Sequence, residues 1–296
     1  MRNVAFNSIL LDRKVNSKCD SYIRFSIDEV FPEEFAERLC ATFPSSILLK
    51  QIGDSLYASA DLNKDSLDIN SFFSENSEWA EYREYVRSTE FLCDAINLFR
   101  IGMANRYLYF WKFLFGWRTK TTKRLFTTMQ VTLSRRGSCM SPHSDDKYNV
   151  ISFIHYFPVS GSVGQQYGGT RFFEPYTHQV PIRKIRKFSD WSIGLKRYFP
   201  FWCAASFEGH VKQNIKIGDE SNPDQRPEFL ELFHEVENFS YLPNRMIGFV
   251  KNSWSFHEVD LKEFPVGEDR RALLINIRMK PARISVLFDR AISMFQ

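Results

Sequence analysis

Long apolar runs are missing from this chain. The longest candidate, Tyr107 to Trp117 (YLYFWKFLFGW), is broken by Lys112 and falls well short of the ~18 consecutive apolar residues that a bilayer crossing needs. Such a segment can lie on a membrane but cannot span one. Cysteine is also scarce and badly arranged for cross-linking. Cys19, Cys40, Cys93, Cys139 and Cys203 are odd in number, widely spaced and form no CxxC, which excludes a disulfide frame and a compact zinc site. Reduced thiols in a cytoplasmic setting are expected, and MRNVAFNSILLDRKVNSKCD shows neither the apolar run nor the small-residue cleavage pattern of a secretory signal. Strong charge of one sign is absent too: 39 Lys+Arg stand against 35 Asp+Glu, a balance of +4. That surplus is too small to cover the surface with a field for nucleic acid, and no nucleic-acid partner is expected. No internal repeat or low-complexity tract occurs. Hydrophobic residues at 44% and charged residues at 25% exclude a disordered chain. Residues 1–296 are expected to form a single domain, long enough to bury a deep core. What the chain has in abundance is aromatic side chains: 16% of all residues, 29 of them Phe. Such a core is large and stiff, and some rings are expected at a surface that binds something apolar.

The first third reads helical. In FPEEFAERLCATF, Phe31, Phe35, Leu39 and Phe43 recur at helical spacing after an acidic, Pro-containing start. A second helical pattern runs from about Glu78 to Tyr107. The spacing predicts helices packed on a sheet, with residues 26–120 as support. From about Leu125 the texture changes to short β-type runs: TTMQVTLS (127–134), NVISFIHYF (149–157), GGTRFF (168–173), RMIGFV (245–250), RRALLINIRM (270–279) and ARISVLF (282–288). They are rich in β-branched and aromatic residues and bounded by Gly, Pro, Ser or Asn. Short strands separated by turns point to an antiparallel sandwich or jelly roll over 125–280, so the fold class is α+β and mainly β. Residues 176–240 interrupt the pattern and read as a long insertion between core strands, a candidate substrate lid.

Of six histidines, His143 has the sharpest context, Pro142-His143-Ser144-Asp145. Residues i and i+2 of an extended segment face the same way, so His143 and Asp145 can serve one metal ion together. Two imidazoles and one carboxylate make a facial set that leaves open positions on Fe(II). Alone, the pair reads equally as a turn histidine beside a carboxylate. His257 supplies the second imidazole after the β-type run RMIGFV, in what reads as a turn. His155, alternating with Tyr156 on a strand, is expected to face away from a barrel interior as a structural histidine. His178, His210 and His234 read as solvated histidines of the insertion. On the last core run, Arg270, Ala272, Leu274 and Asn276 share one face, while Arg271, Leu273, Ile275 and Ile277 share the other. The second face is the more apolar, and the inward face of a jelly roll is usually the apolar one.

The order HSD, ISFIHYF, GGTRFF, RMIGFV…FHEV and G-x-x-R-R-A-L resembles the Fe(II)/2-oxoglutarate-dependent oxygenases, in particular their prolyl-4-hydroxylase-like branch. The resemblance implies a double-stranded β-helix (jelly roll) core. It implies His143, Asp145 and His257 as iron ligands, with Fe(II), 2-oxoglutarate and O2 as cofactor and co-substrates. Arg270 matches the basic residue that binds the distal carboxylate of 2-oxoglutarate, with Ala272 as the small residue two positions on. Tyr156 matches an aromatic hydroxyl that contacts the same co-substrate. The interval from His257 to Arg270, 270 − 257 = 13 residues, is longer than usual in that family, so Arg271 stands as a rival to Arg270. The implied reaction is hydroxylation of a C–H bond coupled to oxidative decarboxylation of 2-oxoglutarate.

Two segments bear on the substrate. RYLYFWKFLFGWRTKTTKR (106–124) and RKIRKFSDWSIGLKRYFPFW (183–202) each interleave rings with Lys and Arg. This texture suits a membrane interface carrying anionic lipid. The partner expected is anionic and lipid-linked, met peripherally at the inner face of a membrane. Within the same superfamily, the enzymes that hydroxylate the Kdo sugar of lipopolysaccharide would need such a surface. A peptidyl-prolyl or other protein side chain, a free small molecule, and a jelly roll that binds without catalysis are the alternatives.

Overall fold

The structure is a computed structural model and describes residues 16–19, 23–44, 48–52, 57–98, 125–143, 145, 149–159, 161, 167–175, 230, 233–250 and 255–279. In chain order its elements are β1 (Asn16–Cys19), β2 (Ile23–Ile27), α1 (Glu33–Ala41), β3 (Lys50–Ile52), β4 (Tyr57–Asp61), α2 (Leu67–Glu75), α3 (Ser77–Arg87) and α4 (Thr89–Leu98). Then follow β5 (Leu125–Ser134), β6 (Cys139–His143), β7 (Asn149–Tyr156), β8 (Thr170–Pro175), β9 (Phe233–Phe239), β10 (Met246–Val250), β11 (Phe256–Asp260) and β12 (Arg270–Met279). They form two antiparallel sheets, one in the order β1-β2-β10-β7-β12-β5-β4-β3 and one in the order β6-β11-β8-β9. Counting from β5, strands one, eight, three and six lie side by side in the large sheet, and strands two, seven, four and five make up the small one. That interleaving is the double-stranded β-helix.

The large sheet is covered on both faces, which is why its central strands read as nearly continuous apolar runs. On the outer face, Met129 and Val131 of β5, Ile151 and Phe153 of β7, and Leu273, Ile275 and Ile277 of β12 meet Phe35, Leu39, Trp79, Tyr82 and Phe91 of the helices in one buried cluster. Each large apolar side chain so buried contributes about 1.5–3 kcal/mol. Trp79 Nε1 donates to the Leu39 carbonyl at 3.2 Å, so its polar end is satisfied as well. On the inner face, Ile154, Tyr156, Ile247, Phe249 and Ala272 pack against Phe172, Phe239, Tyr241, Leu261 and Phe264. The more apolar face of β12 therefore points to the helices and not to the barrel interior. The less apolar face, with Arg270, Leu274 and Asn276, lines the space between the sheets.

Four expectations from the sequence are corrected. The support over 26–120 is not helical throughout, because β3 and β4 add strands beside β5 and β2 adds one beside β10. The long helical pattern from Glu78 is broken at Ser88, whose ψ of 155° is extended. Ser88 Oγ accepts the Phe91 N–H at 3.0 Å and so caps a new helix, α4. The insertion does not reach residue 240, since Phe233–Phe239 is β9, paired along β8. A register shift between Phe172 and Phe173 disrupts the alternation along that pair, which hides β9 from a period-two reading. His257 lies on β11, not in a turn. The expected strand over 282–288 and both basic-aromatic segments lie outside the described residues.

Candidate metal centre and its cavity

β6 and β11 pair antiparallel with His143 directly opposite His257. Such pairs place side chains on the same face, and here the two imidazole centroids stand 4.4 Å apart. β6 is the edge of the small sheet, where a strand tolerates the proline at position 142. The chain leaves β6 after His143, and Asp145 turns back towards both rings. Its Oδ1 lies 3.5 Å from His257 Nε2 and 3.9 Å from His143 Nε2. One donor atom from each of the three residues falls within 4.8 Å of the others. Two metal bonds of about 2.1 Å span up to about 4.2 Å, so the three atoms stand within an ångström of a shared ion's reach. His257 Nδ1 lies 3.1 Å from the Ser255 carbonyl. A carbonyl only accepts, so Nδ1 carries the proton and Nε2 presents its lone pair towards Asp145. Phe172 stacks on the His257 ring at 5.8 Å and Phe249 lies at 4.8 Å, which fixes the ring's plane and keeps it dry. Two imidazole nitrogens and one carboxylate suit a divalent transition ion with positions left open. The donor set fits Fe(II).

The cavity in front of these residues encloses about 630 Å³, counting the part open to solvent, and includes Arg270 in its wall. Arg270 is 4% exposed. Its Nε donates to the Gly168 carbonyl at 2.5 Å, and the guanidinium lies 5.2 Å from the Tyr156 ring centre and 5.6 Å from that of Tyr241. Gly168 adopts φ +72°, and a Cβ there would stand 2.8 Å from the Phe264 ring, so only glycine brings that carbonyl to Arg270 without strain. No carboxylate pairs with Arg270 among the described residues, and its Nη2 is buried without a hydrogen-bond partner. A buried cation with an orphaned donor needs an anion. The site fits a ligand carboxylate.

The two arginines part company across the sheet. Arg271 points to the helical side, with its guanidinium 5.7 Å from the Phe43 ring centre and close enough to Cys40 to oppose the rise that burial causes in that thiol's pKa. It does not line the cavity. Tyr156 is fully buried; its hydroxyl shares a 2.6 Å hydrogen bond with Thr170 Oγ1 and its ring supports the Arg270 guanidinium. Burial raises its phenol pKa against the opposing charge of Arg270. His155 faces the helices, with Nδ1 3.1 Å from the Tyr82 hydroxyl, and burial lowers its pKa to about 3. His234 sits on β9, half-buried, and is no part of the cavity wall; His178 and His210 lie outside the described residues.

Sequence reasoning missed Tyr57. It stands opposite Ser134, which stands opposite Arg270, so β4, β5 and β12 present a phenol, a hydroxyl and a guanidinium in one row across the cavity wall. Burial raises the Tyr57 pKa and the charge of Arg270 pulls against that rise. Nothing local in YASAD marks this residue; only the pairing of β4 with β5 brings it there.

No family model and no curated protein matches the chain. Among solved structures it is similar to a prolyl-4-hydroxylase from Pseudomonas putida, with 12% identity over 88% of this chain and 95% of that one and a TM-score of 0.42. It is similar to an oxidoreductase of the 2OG-Fe(II) oxygenase family from Burkholderia pseudomallei, with 8% identity over 86% and 84% and a TM-score of 0.40. EvdO2 from Micromonospora carbonacea var. aurantiaca, complexed with 2-oxoglutarate, matches at 10% identity over 88% and 87% with a TM-score of 0.39. At these scores no residue role transfers from those proteins to this chain. Among the described residues, no helix is long and apolar enough to cross a membrane.

Proposed function

We propose that this protein is an Fe(II)- and 2-oxoglutarate-dependent oxygenase that hydroxylates a C–H bond. One observation carries the reading: a single cavity holds a His-Asp-His donor set and, in the same wall, a buried guanidinium with no carboxylate partner among the described residues. His143 and His257 would hold the ion through Nε2, and Asp145 through Oδ1. When bound, the ion supplies the redox chemistry by which 2-oxoglutarate, O2 and R–H become succinate, CO2 and R–OH. Arg270 receives the distal carboxylate of the co-substrate, with the hydroxyls of Ser134 and Tyr57 beside it. Its planar fork sets the orientation of the other end. Ser255 holds the His257 tautomer, and Phe172 and Phe249 keep bulk water from that ligand.

The test is succinate formation from 2-oxoglutarate by the purified protein with Fe(II) and a reductant, with and without trial substrates. The reading predicts a basal rate that His143→Ala and His257→Ala abolish together with metal binding. No metal binding by the unaltered protein, or binding unchanged in both variants, overturns it.

For the substrate we extend the proposal to an anionic group on a membrane-held glycolipid, such as the Kdo sugar of lipopolysaccharide. Its support is the cationic and aromatic texture of 106–124 and 183–202 in the sequence. Co-sedimentation with anionic vesicles that weakens as salt rises is the expected result; equal indifference to anionic and neutral vesicles refutes it.

A further inference from the structure

Ser152 lies on the inner face of β7, 2% exposed, in the cavity wall. Its neighbours across the ladder are Asn276 of β12 and Phe249 of β10, both also in that wall. Its hydroxyl donates a hydrogen bond to Asp145 Oδ2. The other oxygen of the same carboxylate, Oδ1, is the one that faces His257 and His143. The two oxygens of Asp145 thus have separate partners, one on the sheet and one at the centre. Ser152 comes from a central strand, paired on both sides and packed between two cores, whereas Asp145 stands just beyond the end of an edge strand. The rigid element holds the carboxylate of the less constrained one.

We propose that Ser152 is a positioning residue that makes Asp145 a one-oxygen ligand. With Oδ2 engaged by the serine hydroxyl, only Oδ1 is offered to the ion. A carboxylate free to turn would chelate through both oxygens and take up a position that an exogenous ligand needs. This inference rests on the metal-centre reading and adds to it a residue outside the donor set and a reason why the centre stays open.

The test measures metal affinity and ligand geometry separately from turnover. The metal-free protein is titrated with Mn(II) for affinity and with Co(II) for its ligand-field absorption spectrum, in the unaltered chain, Ser152→Ala and Ser152→Thr. Loss of a partner that orients a ligand costs about 10–100-fold in metal affinity. Ser152→Ala leaves Asp145 unoriented before the ion arrives, so Mn(II) binding is expected to weaken by about tenfold or more on that scale, and the Co(II) spectrum to change because the second oxygen is no longer held away. Ser152→Thr keeps a hydroxyl and restores both. Melting temperatures of the metal-free variants report folding independently. A Ser152→Ala protein that melts as the unaltered one does and binds Mn(II) as tightly, with an unchanged Co(II) spectrum, overturns the role of Ser152 while leaving the metal centre intact. If the unaltered chain binds neither ion, the centre itself is refuted, and the two failures are distinct.

Discussion

Replacing Arg270 with Met is expected to move ligand binding and stability by very different amounts. Truncating one partner of a buried, hydrogen-bonded charge pair costs about 2–5 kcal/mol of binding. At about 1.4 kcal/mol per decade, the lower end of that range is a rise of roughly 30-fold in the KM for 2-oxoglutarate. Stability without ligand follows another sum. The variant loses the hydrogen bond from Nε to the Gly168 carbonyl, worth about 1 kcal/mol. It also relieves a cation that is 4% exposed and has an orphaned Nη2, and replacing buried charge by apolar volume is often neutral or stabilising. The two offset, and the melting temperature of the ligand-free protein is expected to shift by no more than about 4 °C in either direction. Arg271→Met, on the helical side of the same strand, leaves the KM alone. The assay is succinate formed against 2-oxoglutarate concentration, paired with thermal unfolding of the metal-free protein. A normal KM in Arg270→Met, or an equal rise in Arg271→Met, refutes the assignment of the guanidinium to the co-substrate.

Three further outcomes are expected. Tyr57→Phe removes a hydroxyl from the row it shares with Ser134 and Arg270, and is expected to raise the KM for 2-oxoglutarate by about three- to tenfold, the worth of one ordinary hydrogen bond, with Mn(II) affinity unchanged. Burial lowers the His155 pKa from 6.5 to about 3, so between those values the unfolded chain binds a proton that the fold refuses. Its contribution is complete above about pH 6.5 and falls by about 1.4 kcal/mol per pH unit on acidification towards pH 3; denaturant unfolding at pH 7, 5 and 4 checks it, and His155→Asn should flatten that slope. Ser88→Ala removes the hydroxyl that accepts the Phe91 N–H and is expected to cost about 1 kcal/mol of unfolding free energy, whereas Ser88→Asp restores the cap and the stability.

The strands that were legible in the sequence are those buried on both faces or rich in branched side chains. RRALLINIRM and NVISFIHY declare themselves because β12 and β7 sit in the middle of the large sheet. β4 does not, since Tyr57–Asp61 (YASAD) offers small residues whose extended form comes from pairing with β5 and not from any local preference. β6 carries Pro142, which argues against a strand anywhere except at an edge. The pairing of His143 with Asp145 could be suspected from their two-residue spacing, but His257 joins them only through the resemblance of the whole motif order. Their orientation could not be foreseen from either. Ser152 and Ser255 are unremarkable letters in the sequence, and their bonds to Asp145 and His257 exist only once β7 and β11 are folded into facing sheets.

The two faces of β12 explain why the choice between Arg270 and Arg271 was open in the sequence, and the fold puts Arg270, not Arg271, in the cavity wall. Inward faces of jelly rolls are commonly apolar, so the run Leu273, Ile275, Ile277 seemed to belong inside the barrel. Here a layer of helices covers the outside of the large sheet and takes that run as its partner. The inner face at this strand carries only Ala272 in the inner core, with Leu274 packed against it, and Arg270, Leu274 and Asn276 line the cavity. A cation with no carboxylate partner among the described residues lowers stability, yet contacts that involve no ligand fix it in place: the Gly168 carbonyl at a φ only glycine accepts readily, and two tyrosine rings whose hydroxyls are engaged elsewhere. Contacts of that kind reduce the ordering cost when an anion arrives. The helical layer and the cavity are therefore linked through the two faces of β12.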